Sequence, residues 1–119
     1  MKDELIVFSK PKSNISEDIR TIRTNLKFTA NDDAKVLLVT SSVHGEGKSF
    51  ISANLAAAFA QTGEKVLLVD ADLRLGRVHK IFNQSATKGF SNMLISGTSE
   101  DLPEYIKKTT IPNLYIVSR

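Results

Sequence analysis

Two hydrophobic rhythms run along this chain. Ile15, Ile19, Ile22 and Leu26 recur every three or four positions, the period of one helix face. Asn14 suits the cap ahead of them and Glu17 the reciprocal capping position, which predicts an amphipathic helix over about 15–29. Two shorter runs, "KVLLVTS" (35–41) and "EKVLLVDADLR" (64–74), are rich in Val and bounded by turn chemistry, and read as buried strands. Between them "SFISANLAAAFAQTG" (49–63) reads as a helix closed by Gly63. Strand, loop, helix and strand make a βαβ unit, hence a parallel sheet with a right-handed crossover. Two short helices are predicted near 90–95 and 102–109, and "NLYIVS" (113–118) reads as a third strand. Residues 1–13 are polar around "LIVF", and Pro11 discourages helix, so they read as an extended arm.

Composition narrows the class. At 119 residues, with 41% hydrophobic and 24% charged, the chain reads as one α/β domain, 1–119, with a modest core. The absence of cysteine excludes a disulfide framework and a thiolate zinc site, and fits a reducing cytosol. The longest apolar runs, such as 55–60, are far too short for a bilayer, and no secretory signal opens the chain. No direct membrane span is expected. The net charge of +3 comes without a dense basic cluster interleaved with aromatics, so nucleic acid is not an expected partner.

The chemistry concentrates after the first strand. Ser42-Val43-His44-Gly45-Glu46-Gly47-Lys48-Ser49 follows the phosphate-loop pattern G-x-x-x-x-G-K-[ST], with serine in place of the first glycine. Small residues let successive backbone N–H groups turn inward on phosphate oxygens, and the following helix adds its N-terminal dipole. Residues Val43, His44, Gly45, Glu46, Gly47, Lys48, Ser49 and Phe50 are therefore the candidate nucleotide contacts. Lys48 would reach the β- and γ-phosphates of ATP, and the Ser49 hydroxyl would hold Mg²⁺. The bland reading, a Gly-rich turn with a solvated lysine, fits "GEGKS" behind a buried strand poorly.

Asp70 and Asp72 stand two apart at the tip of the second strand. In a parallel sheet that tip shares an edge with the phosphate loop, where ligands bind. If the tip stays extended, both carboxylates project from the same side. Beside a triphosphate, two carboxylates can hold Mg²⁺ and accept a proton from an attacking hydroxyl. Lys48, Asp70 and Asp72 are the candidate catalytic residues, and Ser49, Asp70 and Asp72 the candidate metal ligands. Surface aspartates capping a strand end are the bland alternative. His44 and His79 show no pattern for metal or base chemistry and read as loop or surface residues.

Taken together, "TSSVHGEGKS" and "VLLVDADLR" resemble the bacterial tyrosine kinases, which pair a Walker A loop with a second acidic motif and add a Walker B strand. "SEDIRTIRTNLKF" contains Glu17-x-x-Arg20-x-x-Arg23, similar to the signature through which these kinases form rings. "KPKS", "VHKIF", "SNMLISG" and "NLYIVS" also fall where the family has its own segments. The resemblance implies a P-loop NTPase-like parallel sheet flanked by helices, cut short before the Walker B strand. It implies ATP and ADP with Mg²⁺ as cofactors, and phosphoryl transfer to protein tyrosines, normally on a neighbouring subunit's tail and on proteins of capsule or exopolysaccharide synthesis. Asp70 would orient or deprotonate the tyrosine and Asp72 would hold metal, although the two roles are interchangeable on sequence alone. The partners implied are a membrane adaptor that activates the kinase and further copies in a ring. The implied location is the cytoplasm, at the inner face of the membrane, in the Gram-positive arrangement. His44 and Gly76 stand where the family usually has proline.

Two alternatives belong beside this reading. The deviant Walker A ATPases of plasmid partition and septum positioning carry a signature lysine five residues before the invariant one, a position held here by Val43. A non-catalytic nucleotide-binding fragment is the other, because a Walker B aspartate and a tyrosine-rich tail are not in the 119 residues; the isolated chain is expected to be inactive. Without the resemblance, Glu17, Arg20 and Arg23 would read as a solvated helix face.

Overall fold

The structure, a computed structural model, describes residues 5–29, 36–39, 47–72, 78–82, 89–96 and 102–118. Its elements are α1 (Ile6–Ser9), α2 (Asn14–Thr29), α3 (Lys48–Ala60), β1 (Val66–Val69), α4 (Val78–Ile81), α5 (Phe90–Ser96), α6 (Leu102–Tyr105), β2 (Lys107–Lys108) and β3 (Leu114–Val117). The three strands form one sheet in the order β1-β3-β2. β1 and β3 run parallel with Val66 beside Leu114 and Leu68 beside Ile116, and β2 adds an antiparallel edge.

Helix α3 lies against β1 and β3 on one side and against α1 and α2 on the other. Its alanines make that possible. Ala53, Ala57 and Ala58 are fully buried, and short side chains let sheet and helices approach from several directions at once. Leu114 and Ile116 on β3 and Val7 on α1 close the core around them, each with no exposed surface.

Helix α2 begins at Asn14, one residue earlier than expected, so its cap is Ser13. The Ser16 amide donates to Ser13 Oγ at 3.2 Å. Ser16 itself is buried, and its hydroxyl lies 2.7 Å from the Lys10 carbonyl and 2.9 Å from that of Ile6. Over 5–13 that junction overturns the expectation of an extended arm, and residues 1–4 of it lie outside the described residues. Ile6–Ser9 forms a helical turn whose Val7 amide donates to Asn54 Oδ1 of α3 at 3.2 Å. Pro11 lies beyond the turn and does not break it.

Two other expectations fail for identifiable reasons. The predicted strand 35–41 is not formed over its described part: residues 36–39 join no ladder, and Val36 and Leu38 are 88% and 89% exposed. Strand composition yields a strand only where a neighbour takes up its N–H and C=O groups. β1 gives one edge to β3, and no described residue pairs with its other edge. β1 is also buried on one face alone, leaving Leu67 49% and Val69 43% exposed on the side away from α3.

The predicted helix over 102–109 stops at Tyr105, and Lys107 and Lys108 pair with β3 instead. Thr109 causes the turn. Its hydroxyl bonds the Leu114 carbonyl at 2.8 Å and accepts from the Ile111 amide at 3.1 Å, while Asn113 takes the left-handed conformation at φ 69°. Asparagine tolerates that region better than most residues. His79, expected at the surface, is buried in α4.

Replacing Ile116 with Ala should lower unfolding stability by about 2–5 kcal/mol, because its pocket between α3 and the sheet cannot collapse fully. Urea denaturation of the two proteins measures the difference.

Candidate functional site

The carboxyl end of β1 and the start of α3 meet at one edge of the sheet. Gly47 caps α3 with φ 80°, a conformation that favours glycine over any residue with a Cβ. Its carbonyl accepts the first helical bond, from the Ile51 amide at 2.9 Å. By helix geometry the amides of Lys48, Ser49 and Phe50 have no partner within the helix and face outward from its start. Val43, His44, Gly45 and Glu46 lie outside the described residues.

The other end of α3 is closed carbonyl by carbonyl. The Ala57 oxygen accepts from the Gln61 amide, Phe59 from the Thr62 amide and Ala60 from the Gly63 amide, at 3.0–3.1 Å. The Ala58 oxygen accepts from Arg23 Nη1 of α2 at 2.9 Å. A cation at that end also complements the helix dipole. Gly63, at φ 91°, turns the chain into β1 as the sequence suggests.

On β1, the Asp70 amide still belongs to the sheet and donates to the Val117 carbonyl at 2.9 Å. Beyond it the strand ends, so the alternation of side chains does not carry through to Asp72. The Asp70 carboxylate turns back on its own loop instead. One oxygen accepts the Asp72 amide at 3.1 Å, the other the Val78 amide at the start of α4 at 3.2 Å. Asp70 is buried, whereas Asp72 is partly open and reaches across to α3. There Asp72 Oδ2 lies 3.6 Å from Lys48 Nζ. The two motifs expected to share a site are thus joined by a direct ion pair.

Hydroxyl and carboxylate oxygens are the donors Mg²⁺ takes, and it usually keeps several waters alongside one or two carboxylates and the substrate's phosphates. Ser49 in the first turn of α3 and Asp72 opposite supply such oxygens on the same edge as Lys48, so the residues fit a magnesium–nucleotide pair. Among the described residues no group of three acidic, His or Cys side chains gathers to form a metal site of its own.

Glu17, Arg20 and Arg23 do not share one environment. Glu17 is exposed. Arg20 is half-buried and donates to the Pro11 carbonyl at 2.5 Å and the Val7 carbonyl at 3.3 Å, and Arg23 is bound to α3 as above. Both arginines fasten α2 to its own chain. Sequence reasoning missed Asn54, which is fully buried, accepts from Val7 and donates to the Phe50 carbonyl at 2.9 Å. A lone amide inside "ISANLAAAFA" was the signal for it. No described helix is long and apolar enough to cross a membrane.

Residues 37–115 match the family described as the CobQ/CobB/MinD/ParA nucleotide binding domain. The chain is 42% identical over 115 residues to the putative tyrosine-protein kinase CapB of Staphylococcus aureus, covering 96% of this chain and 50% of that protein. It is 47% identical over 100 residues to tyrosine-protein kinase YwqD of Bacillus subtilis, covering 83% and 42%. Among solved structures, the chimerical protein CapA2B2 superposes with a TM-score of 0.88 at 40% identity, covering 98% of this chain and 50% of the other. The kinase domain of the Escherichia coli tyrosine kinase ETK gives 0.87 at 31% identity, covering 95% and 44%. The chain spans half or less of the length of each of these proteins.

The two aspartates should separate in a stability measurement. Asp70→Ala removes the acceptor of the buried Val78 amide and of the partly buried Asp72 amide and should cost about 1–3 kcal/mol. Asp72→Ala breaks a half-exposed ion pair and should cost no more than about 1 kcal/mol. Chemical denaturation without nucleotide compares them, and equal losses would contradict the framing role of Asp70.

Proposed function

Since the chain belongs to the CobQ/CobB/MinD/ParA nucleotide binding domain family, we propose that it carries the nucleotide site of a bacterial protein-tyrosine kinase. The observation behind this is the meeting of Lys48 and Asp72, 3.6 Å apart, at the edge where the start of α3 and the tip of β1 converge. The names of the kinase relatives support phosphoryl transfer as the reaction at that edge. The partition-type ATPases share the family, but Val43 stands where they have their signature lysine.

In this reading residues 43–50 cradle the phosphates of ATP or ADP. Lys48 stabilises charge on the transferred group, and Ser49 and Asp72 are the metal ligands. Mg²⁺ held by them would supply charge neutralisation on the phosphates. The γ-phosphoryl group passes in line from the ADP oxygen to a tyrosine oxygen, and the tyrosine proton goes to a carboxylate. Asp70 is our choice for that acceptor: a carboxylate has about four lone-pair sites, and its two amide bonds leave room for a further partner. The substrates are tyrosines of neighbouring copies and of proteins in capsule or exopolysaccharide synthesis. The full-length protein works in the cytoplasm at the inner membrane face, activated by a membrane adaptor and assembled into a ring through the Glu17, Arg20 and Arg23 face.

Lys48→Met removes a charge-assisted contact and should weaken binding of a fluorescent ADP analogue by roughly 10- to 100-fold. Unchanged affinity would sink the assignment. In the full-length protein, Asp70→Asn and Asp72→Asn should each abolish phosphotyrosine formation on incubation with Mg·ATP, read by immunoblot. For the ring, Glu17→Ala is the informative variant, since it leaves the internal bonds of both arginines intact. Light scattering should report a smaller assembly, and an unchanged mass would return Glu17 to the solvated surface.

A further inference from the structure

The pairing of β1 with β3 continues one step past both strands. Val69 stands beside Val117, and the Asp70 amide donates to the Val117 carbonyl at 2.9 Å just as the Val66 amide donates to that of Asn113 at 2.8 Å. Asp70 and Ser118 are therefore neighbours at the strand tips. Side chains alternate along a strand. Ser118 follows Leu114 and Ile116 onto the face that packs against α3, and Asp70 follows Val66 and Leu68 onto the same face. The Ser118 backbone is fastened there, its carbonyl accepting from the Phe90 amide at 2.6 Å. Its side chain has no exposed surface, and among the described residues its hydroxyl has no hydrogen-bond partner. A buried hydroxyl in that condition is costly and calls for an explanation.

Asp70 supplies one. Its carboxylate accepts from the Asp72 and Val78 amides. An amide N–H only donates, so both bonds suit the carboxylate, and neither can receive a hydrogen bond from a carboxylic acid. A serine hydroxyl both donates and accepts. We propose that Ser118 is a positioning residue for Asp70, its hydroxyl donating to the carboxylate before phosphoryl transfer and accepting from the carboxylic acid afterwards. This rests on the reading of Asp70 as acceptor of the tyrosine proton and adds the group that steadies it. The proton leaves the tyrosine oxygen as that oxygen bonds to phosphorus, and it comes to rest on Asp70. Ser118 keeps its own proton throughout and acts only through Asp70. Rotation about its one side-chain bond, between staggered positions, is enough to reverse the direction of the hydrogen bond.

Steady-state kinetics of tyrosine phosphorylation by the full-length protein, with thermal melts alongside, test this. Ser118→Ala should lower kcat by roughly 2- to 10-fold, the worth of one hydrogen bond, and leave the KM for ATP unchanged. Its melting temperature should stay the same or rise, because a buried hydroxyl without a partner has been removed. Ser118→Cys nearly restores the volume with a group that donates and accepts weakly, so it should be impaired like the alanine variant. Recovery of kcat by cysteine would make the defect one of packing and overturn the proposal. A melting temperature that falls in Ser118→Ala would reveal a structural bond, and a raised KM with kcat unchanged would place the hydroxyl on the nucleotide; either result overturns it as well. Asp70→Asn separates the two levels. If that variant still phosphorylates tyrosine, the reading of Asp70 fails and Ser118 loses its role with it. If it is inactive while Ser118→Ala runs at the parent's rate, the role of Ser118 alone fails.

Discussion

Helix α3 is buried on nearly every side, and the rest of the chain is arranged to meet that condition. A helix in this position must be small enough to be approached from all directions, and its end groups must find partners without bulk water. The alanines between Ala53 and Ala60 meet the first need. The second is met unevenly. At the C-terminal end, turn amides and the Arg23 guanidinium take up the last four carbonyls. At the N-terminal end no described residue does the same, and Gly47 makes no side-chain cap bond. A helix closed at one end and open at the other directs its positive pole outward, which is the physical basis for an anion site there.

The neighbouring strand supplies the complement through a division of labour between two similar residues. Asp70 spends its carboxylate on backbone, holding the Asp72 amide and the start of α4 in fixed relation to the end of β3. Asp72 is left to face Lys48. The arginines of α2 show the same economy. Residues that read as partners for another molecule also bind carbonyls of α3 and of the α1 turn, so a change at either arginine reaches the helix that begins at the phosphate loop. Glu17 is the one member of the trio whose alteration leaves those internal bonds standing.

Much of this was legible in the sequence. The helical period at Ile19 and Leu26, the Ala-rich helix with Gly63 behind it, and the apolar strands β1 and β3 are local signals strong enough to survive tertiary context. The nucleotide-binding family was legible as well, and so was the shared edge that brings Lys48 to Asp72, because "GEGKS" and "DADLR" combine residue types that few backbone arrangements require. The failures share a cause. Whether 36–39 form a strand depends on a partner, and composition does not report partners. Lys107 and Lys108 fit a helix as readily as a strand, and the decision came from the Thr109 hydroxyl and the left-handed Asn113. The cap of α2 moved to Ser13 because Ser16 is held by carbonyls of an arm that local reading treated as extended. In each case a contact between residues, made or missing, decided against a local preference.

The α1 turn sets a limit on where the chain can be cut. Chain ends are usually trimmed at small cost because little is bonded to them. Here the backbone of Val7 alone engages Asn54, Arg20 and Gln61, from two different helices. A start site or protease cut placed after Ser9 would remove a handful of residues from the sequence. It would also open a hole beside α3, take the Val7 amide away from the buried Asn54 carboxamide, and remove one of the two carbonyls that hold Arg20. Leu5 and Val7 are thus part of the interior, and a variant lacking them would differ from the parent in the packing of its central helix.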